Sequence, residues 1–145
     1  SRAFIRMAEE HLYFHLITDR WLRNDTWPIT RDTFFGMIPK LIRGMITSKL
    51  RKNLRAGMHT QGIGRFSETE RAERVAKDLE AIKLQLGDKP YLFGDAPTAA
   101  DASICPMLSG LESIPLPTEV INLVKGDDVL TGYIARMRAA LYHLP

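Results

Sequence analysis

The stretch FGDAPTAADASICPM, residues 93–107, leaves a chain of this kind few choices. Gly94, Asp95 and Pro97 break whatever precedes them. Thr98 is then placed as an N-cap whose hydroxyl accepts from the backbone N–H three residues on. Asp101 stands at that third position, where its carboxylate can reach back to the free N–H of Thr98 and meets the positive end of the helix dipole. Replacing either by Ala is expected to cost ~0.5 to 2 kcal/mol, non-additively because the two share hydrogen bonds. Beyond the cap, Ala99, Ala102, Ile104, Cys105, Met107, Leu108 and Leu111 leave little polar surface. This helix, about 98–113, is therefore expected to run through the middle of the domain with the others wrapped around it.

From the start, Phe4, Ile5, Ala8, Leu12, Leu16 and Leu22, widened by Met7, Phe14 and Trp21, predict an amphipathic helix over 4–23. Arg6, Glu9, Tyr13 and Arg20 fall together on its opposite side. Residues 24–30, with Pro28, read as a loop. A second helical region starts near Arg31, is broken around Gly36 and Pro39, and continues through Lys40 to about His59, where Gly62 and Gly64 end it. Ser67 and Glu70 form a capping box, and Ala72, Val75, Leu79, Ile82 and Leu86 repeat at helical spacing down to Gly87. Burying the four larger of these side chains contributes on the order of 6 to 12 kcal/mol before entropy is set against it. Residues 88–93 cross to the capped helix, which Pro106 should bend. Residues 114–117 link it to a short helix at 118–124, and Asp127 or Asp128 starts a last one reaching Leu141. No segment alternates as a strand, so the fold class is all-α, a bundle of about five to seven helices.

One domain suits 145 residues, and 45% hydrophobic with 26% charged is ordinary globular composition. Cys105 alone permits no disulfide framework. No apolar run approaches the ~18 residues of a membrane span, and the first residues hold no signal-peptide h-region, so a cytoplasmic protein is expected. A net charge of +3 does not by itself imply an anionic partner. Lys40, Arg43, Lys49, Arg51, Lys52 and Arg55 form a run without an acidic residue, the best place for nucleic acid or a membrane surface. Yet Leu41, Ile42, Met45, Ile46, Leu50 and Leu54 interleave as a core stripe and no aromatic platform accompanies them, so the run reads as a solvated helix face. Neither nucleic-acid binding nor membrane insertion is expected. Cys105 sits in apolar company, where its thiol should be inert.

GDAPTAADA, preceded by DLEAIKLQLGDKPYLFGD, resembles the C-terminal helical domain of the glutathione S-transferase superfamily. More narrowly, RAFIRMAEEHLYFHLITDRW, GIGRFSETE and GYIARMRAALYHLP are similar to the branch of failed axon connections and metaxin-like proteins. The resemblance covers nearly the whole chain and implies one right-handed helical bundle over 1–145, with Thr98 and Asp101 as the family's structural N-capping pair. Pro97 and Ala102 make a poor hydrophobic staple, so the cap itself must do more of the fixing.

The resemblance also implies what is missing. Family members carry a thioredoxin-like domain ahead of this one, which supplies most contacts to glutathione and the residue that activates its thiol; this chain shows no βαβ pattern. No catalytic residue and no cofactor is expected within it, and alone it should be inactive. It would instead contribute the second-substrate pocket wall, from the first helix, and part of a homodimer interface, for conjugation of glutathione, the co-substrate, to an apolar electrophile. Met7, His11, Tyr13 and His15 are the substrate-contact candidates. The alternative is a non-catalytic, metaxin-like module that presents surfaces to protein partners. His11 and His15, four apart with Asp19 a turn further on, have spacing that can bind a metal, but no further ligand set accompanies them; hydrogen-bonded packing or pocket-lining polar groups are the other readings, and no metal is expected. Arg6, Glu9 and Tyr13 read as a solvated face or subunit contact, with a cleft-lining role as the alternative.

Overall fold

In a computed structural model, which describes residues 1–141, those residues form seven helices. Helix α1 spans residues 2–22 and is continuous through Arg2–Met7, Ala8–Leu12, Tyr13–Ile17 and Thr18–Leu22, the second and fourth of these being π turns. Helices α2 (Trp27–Phe35), α3 (Lys40–Gln61), α4 (Glu68–Leu86), α5 (Ala99–Glu112), α6 (Glu119–Lys125) and α7 (Asp128–Leu141) follow, with a 3-10 turn at Ile63–Arg65. Among the described residues the sole extended pairing is an isolated bridge between Tyr91 and Gly94. Of the segment GYIARMRAALYHLP, the last four residues lie outside the described part.

Helix α5 is the centre, packed against α1, α6 and α7. Ala100, Ile104, Leu108 and Leu111 are fully buried and Cys105 nearly so. It is not buried all round: Ala99, Ala102 and Pro106 face outward. Pro106 has no N–H to give the carbonyl one turn back, and on this open face water can take its place. At its far end α5 crosses α1 so closely that a Cβ on Gly110 would stand 2.7 Å from a Leu16 methyl.

At the start of α5, Thr98 and Asp101 close a capping box. One carboxylate oxygen of Asp101 accepts from the Thr98 N–H at 2.8 Å and the Thr98 hydroxyl at 2.6 Å; the other accepts from the Leu92 N–H and the Tyr133 hydroxyl, both at 2.9 Å. Burial raises the carboxyl's pKa, but these donors outweigh it and leave Asp101 below the usual carboxylate range. The cap is thus also a rivet that ties α5 to the 88–93 crossover and to α7.

Helix α4 has its own capping box at Ser67 and Glu70, and Ala72, Val75, Leu79, Ile82 and Leu86 are all buried. Gly62 ends α3 at φ 112°, a left-handed value that strains any residue with a Cβ.

Three expectations need correction. Residues 24–26 are the expected turn, but 27–30 are helical, because Pro28 starts a helix rather than breaking one: in the first turn its missing N–H has no partner to lose. The π turns of α1 each add a residue and rotate the faces that follow, so Arg20 leaves the solvated side. Its guanidinium instead caps the end of α5, donating to the Gly110 carbonyl at 2.6 Å and the Ser113 hydroxyl at 2.7 Å. The third concerns α3. Leu41 (93% exposed), Met45 (72%), Ile42 and Ile46 are not core, because α2 and the first turns of α3 form a hairpin tip on whose α3 side nothing packs among the described residues. Arg51 in turn is structural, donating to the Trp21 and Leu22 carbonyls where α1 ends.

Candidate functional site

The face of α4 opposite its apolar stripe carries Glu70, Glu73, Arg74, Lys77 and Asp78, spaced so that 70, 74 and 78 share one line along the helix. With Phe66 and with His11 from α1, these residues line a cleft of about 440 Å³. A smaller adjoining recess shares His11, Phe66 and Arg74 and adds Gln61, Gly62 and Ile63. The Arg74 guanidinium stacks 3.8 Å above the centre of the Phe66 ring, which fixes one wall.

His11 is the hinge of this site. Its Nδ1 is paired with the Asp78 carboxylate, and its Nε2 lies 3.4 Å from Nε2 of His15, the two rings meeting edge to face. His15 is fully buried, and burial, then the charge of His11, then Arg71 and Arg74, pull its pKa down to about 3. It is therefore neutral at physiological pH and carries one ring proton. Nδ1 of His15 has no partner. A buried N–H left unpaired costs more than a buried lone pair, so the proton belongs on Nε2 and points at His11. In the row His15–His11–Asp78 the contact between the two rings, at 3.4 Å, is the long one.

Of the four candidate contacts, the structure brings His11 and His15 together and puts only His11 at the cleft. Met7 is half-buried against the core, and Tyr13 is exposed on the outer side of α1 beside Phe14. Asp19 has turned away from the histidines: it is buried, accepts from the Thr118 hydroxyl at 2.7 Å, and burial raises its pKa. Among the described residues no three His, Cys, Asp or Glu side chains converge as metal ligands. Burial likewise raises the pKa of the Cys105 thiol. The α4 half of the cleft went unread in the sequence, although the i, i+4 run Glu70, Arg74, Asp78 was its signal.

Residues 75–137, from within α4 to within α7, match the family model for the glutathione S-transferase C-terminal domain. Over those residues the chain is similar to that domain. It is 32% identical, through 94% of its length, to an isoprene-epoxide–glutathione S-transferase of Rhodococcus sp. (strain AD45), and spans 58% of that relative. Neither match supports placement in the metaxin-like branch. No solved structure matches the chain significantly.

Proposed function

We propose that this chain forms the wall of the second-substrate pocket in a protein that conjugates glutathione to a small apolar electrophile, an epoxide in particular. The observation that carries this is the match to the isoprene-epoxide transferase through nearly all of α1 to α7. The open face of α5 supports it. Ala99, Ala102 and Pro106 are small or apolar, and Phe93 packs edge to face on Phe4 nearby, 5.9 Å between centres. A thioredoxin-like domain joined ahead of Ser1 would be tethered beside this face and cover it. Glutathione would then sit at the junction, with His11, backed by His15 and Asp78, reaching the electrophile. An epoxide opening under thiolate attack gathers charge on its oxygen, and polar groups fixed in advance lower that barrier. The outer stripe Arg6, Glu9 and Tyr13 is the proposed contact between two copies.

A second reading, a non-catalytic interaction module of metaxin-like kind, is favoured by the apolar hairpin tip. Calorimetry of the full gene product with glutathione separates the two. Saturable heat is expected; none at millimolar glutathione overturns the transferase reading.

A further inference from the structure

The α2–α3 tip leaves large apolar side chains in solvent. Phe34, Met37, Leu41, Ile42, Met45 and Ile46 stand exposed there, Met37 completely. Phe34 leans on Trp21, 5.2 Å between ring centres, at the edge of a recess with Ile29 and Ile114, whereas Met37, Leu41 and Met45 project furthest from the fold. On α3, Leu41 and Met45 share a face with Lys49 and Lys52, so one surface passes from apolar in the first turns to basic in the next. No Asp or Glu occurs in α3. Arg51 holds the end of α1 and Arg43 pairs with Asp32 at 3.3 Å, leaving Lys40, Lys49, Lys52 and Arg55 exposed.

The geometry decides between occupants. Arg51 meets the carbonyls of Trp21 and Leu22, and Gln61 donates to the carbonyl of Glu10, so α3 runs antiparallel to α1. At 1.5 Å per residue, Leu41 lies about 15 Å past the end of α1, and Ser1 about 30 Å the other way. A domain of about 100 residues tethered at Ser1, with a radius of gyration of about 13 Å, does not reach a tip about 45 Å off. A second copy seated tip to tip would set Lys40, Lys49 and Lys52 against themselves. An apolar tip below a band of lysines instead suits a soft, negatively charged medium.

We propose that the tip docks the protein on anionic lipid bilayers, the apolar side chains entering the headgroup boundary and the lysines engaging lipid phosphates, without spanning the bilayer. This goes beyond the catalytic reading and does not depend on it. Among the described residues no helix is long and apolar enough to cross a membrane.

The test is co-sedimentation of the full chain with vesicles of phosphatidylcholine, with and without one-third phosphatidylglycerol. Binding is expected to the anionic vesicles, and to fall as salt rises. L41E/M45E is expected to lower the partition coefficient at least about tenfold, and K49E/K52E by about tenfold or more. All four side chains are exposed, so circular dichroism should show both variants folded. Equal binding to neutral and anionic vesicles, or no binding at low salt, overturns the proposal. So does sedimentation velocity showing a dimer that L41E/M45E dissociates, which would make the tip a contact between copies.

Discussion

Asp101→Ala is expected to destabilise the fold by about 3 to 5 kcal/mol, well beyond the ~0.5 to 2 of an ordinary cap. The excess comes from the second carboxylate oxygen. Leu92 and Tyr133 are fully buried, and each would lose its acceptor with no water to replace it. Thr98→Ala removes one hydroxyl and leaves the other three bonds to Asp101, so it should cost no more than a cap does. Urea unfolding of the two variants checks this. If both fall within about 1 kcal/mol of each other, Asp101 is a cap and not a rivet.

The second large effect is acid lability. His15 has its pKa near 6.5 when unfolded and about 3 when folded, so the folded state favours the neutral ring. The stability this represents is complete above about pH 6.5 and is lost as pH falls toward 3, at ~1.4 kcal/mol per unit. About 2 kcal/mol should be gone at pH 5, and about 4 to 5 at pH 3. Asp19, whose pKa is raised, works in the opposite direction at the low end, whereas Asp101 and Asp127, both lowered, add to the loss once pH drops below the usual carboxylate range. His15→Gln should flatten the slope between pH 7 and 5 whatever it does to stability at pH 7. An unfolding free energy that is already level over that interval in the unaltered protein would show that His15 is not held neutral.

Where local chemistry and tertiary burial agree, the sequence was readable. Helix α4 is the clearest case: Ser67 and Glu70 start it, Gly87 ends it, and every residue of its apolar stripe is buried. The central α5 was legible for the same reason, but its open side was not, because nothing in Ala102 or Pro106 says what covers them. Helix α1 defeats period counting, since a π turn leaves no residue signature and yet rotates the faces that follow. Arg20 moved from solvent to a helix end on that account. The tip of α3 failed differently. Leu41, Ile42, Met45 and Ile46 repeat as a core stripe does, and periodicity states that a face is apolar without saying what lies opposite it. The cleft was half visible, through His11 and His15; its other wall was hidden in a charged face that resembles any solvated helix surface.

Under the proposed function, α1 and α4 hold part of a pocket for an epoxide-like electrophile. Steady-state conjugation of glutathione to a small epoxide by the full gene product, compared between the natural sequence and His11→Ala, tests it most directly. In the variant the epoxide KM is expected to rise about tenfold while the glutathione KM stays within about twofold. Conjugation with both constants unchanged in the variant would contradict it.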